Sequence, residues 1–398
     1  MSNMRKNILI VILMVSIILP GGFAFAQGET KPEEPHVIEL SLADALKMAE
    51  EANPQVALSK LAVEKAQLAQ QEIKYQDKKG KEEEKENNSL YSNPYKLSPS
   101  DFEYKYQIEM GKKNAEFGLK MAQLGVDATL RNIRYGVEAA YYAALAADDN
   151  LKICEQALQR QQEMQKIAEA KLKAGVIAKR DLMDAQVQVA SAQAAVAVAE
   201  SERQKAYINL KKLLNIDADQ EIKLTDKFEF KPMEDVPDAK LLIEEALQKR
   251  MDIAEAQGKL EIAQLDFDMT SSVYPSNTFK YKEKEYALQE AKMNLENKKK
   301  DVEAEVRGIL LDLAEAQSNI PVLEKSMETA KESLRLARLS YEAGTAVRVD
   351  VSQAEEMLRR VELQMSQAVY NYNLAKIKLE NVVYIPVTAN TSGSGNAQ

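Results

Sequence analysis

The sequence predicts an all-α protein built from two tandem copies of one long helical hairpin, and three observations carry that expectation. The 398 residues include only 14 Gly and 11 Pro, no Trp, and 6% aromatics. Stretches rich in Ala, Glu, Lys, Leu and Gln dominate instead, which is the composition of long helices rather than of sheets. Two stretches of the first half recur in the second, and after each copy of the later one a strict 3,4 apolar spacing begins.

The elements follow in order. Arg5 and Lys6 precede the twelve-residue run Ile8–Leu19, a Pro20-Gly21-Gly22 break and Ala24-Phe25-Ala26. This is the pattern of an export signal over residues 1–26, cleaved after Ala26, since a spanning helix needs roughly 20 apolar residues. No Cys stands near Gln27 to carry a lipid. Removing Arg5 and Lys6 from a chain of net charge −9 leaves −11. An acidic surface without a basic cluster beside aromatics gives nucleic acid nothing to bind. Residues 27–40 read as a leader, and His36, the single histidine, as a surface residue within it.

The duplication sets the domain boundaries. Ala49-Glu50-Glu51-Ala52-Asn53-Pro54 corresponds to Ala246-Leu247-Gln248-Lys249-Arg250-Met251, an offset of 197. The stretch from Ala174-Gly175 to Gln186 corresponds to that from Ala343-Gly344 to Glu355, an offset of 169. The first half is thus 28 residues longer between these landmarks. The surplus is expected at 77–105, where Lys78-Lys79-Gly80, Glu82-Glu83-Glu84, Pro94 and Pro99 suggest a charged loop. At the equivalent place the second half has only the break Ser271–Asn277. Neither segment alternates apolar and polar residues as a membrane-facing strand would. The resulting plan is a first hairpin repeat over 41–214, a connector over 215–238, a second hairpin repeat over 239–384 and a disordered tail over 385–398. In the connector, Glu221-Ile222-Lys223-Leu224 is a candidate for local extended pairing.

The seam after the first turn runs Leu182, Ala185, Val189, Ala192, Val196, Ala199, Arg203, Ala206, Leu210, Leu213, interrupted only by Arg203. Adding 169 gives Val351, Ala354, Leu358, Val361, Met365, Ala368, Tyr372, Ala375, Leu379, Val382. A period of 3.5 calls for a partner helix in a left-handed coiled coil. That partner is the helix before each turn, about Asp101–Lys173 and Thr278–Glu342. The second would be about 100 Å long at 1.5 Å per residue. Pro321 should kink or break it. Gly111, Gly118 and Gly125 recur every seven residues, through close helix packing or by chance. Cys154, the only cysteine, reads as a small apolar filler.

The chain offers catalysis little. One His, one Cys and no Gly-rich phosphate loop give no converging site, and neighbours such as Glu355-Glu356 read as solvated helix surface. No enzyme activity, cofactor or metal is expected. Gly175 and Gly344 suit the left-handed residue that ends a helix, and Asp181 and Asp350 stand where they can cap the next one.

These features together (signal peptide, tandem repeat, Asn53-Pro54, the Ala-Gly turn with Asp six residues after the Gly, the Ala-rich seam) resemble the TolC-like outer-membrane efflux proteins over roughly residues 40–384. The most specific stretch is Tyr341-Glu342-Ala343-Gly344-Thr345-Ala346-Val347-Arg348-Val349-Asp350-Val351. The resemblance implies a homotrimeric duct in the periplasm or outer membrane, serving a periplasmic adaptor and an inner-membrane pump. It places Tyr341, Asp181 and Asp350 at a gated mouth, with a link between the tyrosine and the first-repeat aspartate. The family's second ring aspartate and mouth arginine would fall at Gln353 and Ala346, which differ. Its membrane β-barrel strands are missing here, and without strands the backbone could not be satisfied across a bilayer. A non-conducting coiled-coil scaffold of the envelope is therefore the alternative.

Overall fold

The computed structural model describes residues 37–86 and 101–387, so the export signal, His36 and residues 388–398 of the expected tail lie outside the described residues. In chain order the elements are β1 (Ile38–Leu40), α1 (Leu42–Ala52), α2 (Pro54–Glu86), α3 (Phe102–Lys173), α4 (Lys179–Leu214), β2 (Ile222–Leu224), α5 (Ala239–Lys249), α6 (Met251–Ser271), α7 (Phe279–Glu342) and α8 (Arg348–Asn381). Among the described residues the protein is all-α apart from one small parallel sheet, in which Ile38, Glu39 and Leu40 pair with Ile222, Lys223 and Leu224.

Each half is one long helix clasped by two shorter ones. α3 packs against α2 and α4, and α7 packs against α6 and α8, so the hairpins at the turns are α3–α4 and α7–α8. At 1.5 Å per residue, the 72 residues of α3 span about 108 Å and the 64 of α7 about 96 Å. Three apolar clusters hold the assembly. One gathers β1, α1, the middle of α3 and the end of α4 around Leu40, Tyr141, Leu210 and Leu214. Its counterpart gathers α5–α8 around Val306, Ile309, Leu313 and Tyr372. The third lies at the turn end, around Met164, Leu334, Tyr341 and Leu358.

Polar ties lock the two larger clusters. The Tyr141 hydroxyl shares its one proton between Asp226 at 2.6 Å and the Leu40 carbonyl at 3.0 Å, while Asp226 also accepts the Leu42 N–H at 2.7 Å. The start of α1, the middle of α3 and the connector thus share one hydrogen-bonded knot, with Tyr141 buried and Asp226 at the surface. In the other half Arg250, only 2% exposed, forks onto Asp252 at 3.0 and 2.9 Å and reaches Glu305 at 2.6 Å. A planar guanidinium with its charge shared between two carboxylates is among the few cations that tolerate such burial.

Several expectations need correction. The loop placed at 77–105 is helical at both ends: α2 continues to Glu86 and α3 begins at Phe102, while 87–100 lie outside the described residues. The Lys/Glu run continues the helix because its charges fall three and four apart, as in Lys81–Asp77 at 2.8 Å and Lys78–Glu82 at 3.7 Å. α2 has 33 residues against 21 in α6, and α3 has 72 against 64 in α7, so 20 of the 28 surplus residues lengthen helices. The leader's last residues are strand β1. The tail's first residues are core, with Ile385 at 1% and Val387 at 0% exposure and the Val387 N–H donating to Glu305 at 2.8 Å. Pro321 lies within α7 without ending it.

The seams hold, with one drift. Near the end of α4 burial passes from Ala206 and Leu213 to Tyr207 and Leu214, as a helix of 3.6 residues per turn does against a repeat of 3.5. Arg203 sits in the seam because Asp148 pairs with it at 2.5 Å and the Tyr207 ring lies 4.6 Å beneath its guanidinium. Of the three spaced glycines, only Gly111 is tightly packed: a Cβ there would meet Ile73 at 2.7 Å, whereas none would be obstructed at Gly118. Cys154 is buried as a filler, and burial pushes its thiol up.

Candidate functional site: the two helical turns and the cleft between them

The two turns are built alike. After α3, the Gly175 N–H donates to the Leu172 carbonyl at 2.9 Å and the Val176 N–H to the Lys171 carbonyl at 2.9 Å. After α7, the Gly344 N–H donates to the Tyr341 carbonyl at 3.1 Å and the Thr345 N–H to the Ser340 carbonyl at 3.0 Å. This is the double bond of a Schellman end, and it needs a left-handed residue. Gly175 has φ +72° and Gly344 φ +78°. No other atom crowds a Cβ at either position, so backbone conformation alone selects glycine.

The aspartates act one turn into the next helix. Asp181 accepts the Ala178 N–H at 3.1 Å, and Asp350 accepts the Val347 N–H at 3.1 Å. Each is the third helical residue reaching back to the residue that starts the helix. Ala178 and Val347 have no side-chain oxygen to reciprocate, so each turn carries half of a capping box. Both carboxylates also lie at the positive end of a helix dipole.

Tyr341 lies inside, 4% exposed, in the apolar cluster at the turns. Its hydroxyl has no hydrogen-bond partner among the described residues. Burial raises its pKa; the Arg348 charge lowers it and Asp181 raises it. The two hairpins are linked here through Lys171, whose ammonium donates to the Tyr341 carbonyl and stands 3.8 Å over the ring. Within one chain no hydrogen bond joins Tyr341 to Asp181.

Beside the apolar cluster at the turns, the contact between the hairpins, α3 against α8, carries polar ties. Arg160 forks onto Glu362 at 2.9 and 3.5 Å, Gln161 donates to Glu355, and Arg338 of α7 pairs with Glu355 at 2.8 Å. Glu355 is therefore buried, contrary to its reading as solvated surface, because two donors converge on it. The signal was present in the sequence: Arg348, Glu355, Glu362 and Val369 recur every seven residues, a second stripe beside the apolar one. Above this contact, α4 and α8 flank a cleft of about 830 Å³ with Cys154, Ala157 and Arg160 of α3 along its wall. Asp181 and Arg348 also line it, so the cleft reaches the turns. Sequence reasoning missed Arg348, which is 9% exposed.

The chain resembles known proteins in fold. It superposes on a membrane protein from Pseudomonas aeruginosa with TM-score 0.70 at 15% identity, covering 87% of this chain and 91% of that one. On the outer membrane protein VceC from Vibrio cholerae the TM-score is 0.67 at 15% identity, with coverage of 86% and 96%. On the Campylobacter jejuni CmeC outer membrane channel it is 0.65 at 13% identity, with 86% and 85%. No curated protein matches the sequence. The model of the outer membrane efflux protein family matches residues 111–215 and 273–383. These stretches cover more than half of the chain and fall on the α3–α4 and α7–α8 hairpins with their turns, so the chain belongs to the outer membrane efflux protein family.

Proposed function

We propose that the protein is a subunit of a helical export duct of the cell envelope, closed as a homotrimer, whose two turns form the end that docks on a periplasmic adaptor and its inner-membrane pump. The observation that carries this reading is the pair of turns. Two segments 169 residues apart keep the same Schellman end, the same left-handed glycine and the same back-reaching aspartate. They are joined by Lys171, with a tyrosine hydroxyl buried and unpartnered beside them. The fold accounts for the helix ends, but a buried hydroxyl left without a partner calls for one from outside the subunit. In this reading Gly175 and Gly344 shape the tips, Asp181 and Asp350 ring the opening, and Tyr341 supplies a hydroxyl to a neighbouring hairpin.

A second reading, a non-conducting envelope scaffold, draws on one observation. α6 and α7 are joined by residues 272–278 alone, too few for a pair of membrane-crossing strands of about 9–11 residues each. Asp350→Asn and Tyr341→Phe, measured for fold, adaptor capture and conductance, separate the two. Loss of capture or altered conductance with the fold retained supports the duct. Unchanged capture and conductance in both variants refutes the tip gate and favours the scaffold.

A further inference from the structure

The end of the molecule opposite the turns has a composition of its own. Eight of the chain's 16 Tyr and 8 Phe fall within residues 102–106 and 267–286, whereas residues 160–200 and 325–365, around the turns, hold Tyr341 alone. The start of α3, the end of α6 and the start of α7 meet at that far end, about 100 Å along the long helices from the turns. The Phe102 ring lies 6.3 Å from that of Tyr274, the Phe267 ring 5.2 Å from that of Tyr281, and the Tyr106 hydroxyl donates to Asp266 at 2.8 Å. These rings pack on one another. Others at the same end do not: Phe279 is 98% exposed, Val273 49%, and Pro275 beside them is exposed as well. Phe279 does nothing for its own helix, because Thr278 already caps α7 by accepting the Tyr281 N–H at 3.3 Å. Single exposed apolar residues are ordinary; a group of them on an aromatic cluster marks a contact surface.

The chemistry of the patch selects its occupant. Phe and Tyr with lysine stems beside them form the side-chain set of a bilayer–water interface. The ions here are engaged locally, Lys284 with Asp266 at 3.1 Å, Lys282 with Glu285 at 2.7 Å and Lys280 on the Tyr274 hydroxyl at 3.2 Å. The chain as a whole is acidic, with net charge −9. Attraction at this end is therefore apolar rather than electrostatic, and it needs no charged lipid. A second copy's helix would instead cover a flank: from Phe279 the exposed row Tyr286, Met293 continues seven apart down α7, and Val273 and Pro275 lie off that row, in the break before the helix. Crossing is not available to this end. Among the described residues no helix is long and apolar enough to span a membrane, and the break 272–278 is too short for a pair of strands.

We infer that the end opposite the turns rests on the surface of a lipid bilayer, with Phe279 and Val273 in the boundary between head groups and acyl chains, and does not cross it. The inference rests on the envelope reading above and adds what that end meets. The chain has no Trp, so Phe279→Trp places a single reporter in the patch and Leu336→Trp places one near the turns. The test uses both chains without residues 1–26, whose apolar run would itself enter lipid, and vesicles of phosphatidylcholine. The Phe279→Trp emission should shift to the blue on adding vesicles and be quenched by lipid brominated high on the acyl chain more than by lipid brominated near its end, while the Leu336→Trp emission stays unchanged. Binding should persist in high salt. Phe279→Ser in the otherwise unchanged chain should weaken co-flotation with vesicles about tenfold or more, with the melting temperature retained, as the loss of one buried Phe predicts. No shift at either reporter, equal shifts at both, or binding that requires anionic lipid and disappears in salt would overturn the inference. So would a Phe279→Trp emission that is already blue without vesicles, varies with protein concentration and escapes the brominated lipid, since that assigns the patch to a second copy. Three-copy rings without lipid contact would overturn the inference and leave the duct reading; lipid contact by single subunits that form no ring would fail the duct reading alone.

Discussion

Replacing Tyr341 by Phe should stabilise the isolated chain around its turns. The ring stays buried against Leu334 and Leu358, and the Lys171 ammonium keeps its place over the ring and on the Tyr341 carbonyl. Only the hydroxyl is lost, and it has no partner among the described residues. An unsatisfied buried polar group costs about 1–3 kcal/mol, so the variant should gain about 1 kcal/mol or more. Because a chain with three clusters need not unfold in one step, the suitable assay is amide hydrogen exchange at Gly344 and Thr345, whose N–H groups close the second turn. A gain of about 1 kcal/mol slows exchange there about fivefold when opening is local. In an assembled duct the same substitution should lose that advantage, because there the hydroxyl meets a neighbouring hairpin. Faster exchange in the isolated Phe chain would show that the hydroxyl has a partner within one subunit, and the reasoning would fail.

Other outcomes follow from the same geometry. Arg250→Met leaves Asp252 and Glu305 without their shared cation and should cost about 3–5 kcal/mol by chemical denaturation, with exchange rising first around Val382 and Val387. Gly175→Ala and Gly344→Ala should each cost about 1–2 kcal/mol from left-handed backbone strain, since no atom obstructs the added methyl; Asn at either position should cost less, and equal losses for Ala and Asn would refute that explanation. Burial, and then Glu380, push the Glu138 carboxyl above the ordinary glutamate range. With its folded pKa above the unfolded one, its contribution is fully present below the unfolded pKa and is lost as pH rises through the folded pKa. Glu138→Gln should therefore flatten the fall in stability across that window, and an unchanged melting profile against pH would contradict the assignment.

The fold was legible because it repeats and is periodic. Each seam could be read from one half and checked in the other, and the long helices declared themselves by the turns that end them. What was not legible came from charge. The Lys/Glu run after Asp77 looks like loop by composition, yet its spacing joins Lys78 to Glu82, Lys79 to Glu83 and Lys81 to Asp77 along α2, and composition alone does not register spacing. Glu355 looked solvated because its donors, Arg338 and Gln161, lie 17 and 194 residues away. The turns were found by residue type, and Gly175, Gly344, Asp181 and Asp350 all fall on them. Arg348 was passed over inside the most recognisable stretch, since nothing local shows that it is buried and unpaired. Leu40, Ile385 and Val387 were placed in a leader and a tail because the partners that bury them come from distant parts of the chain.

The central claim, that these hairpins close into a hollow duct, is tested most directly by imaging the purified chain without residues 1–26 by electron cryo-microscopy at micromolar concentration. The images should show a ring of three copies around an open lumen, with both turns of every copy at the same end. Single fully helical subunits, or a bundle with a filled centre, would contradict it.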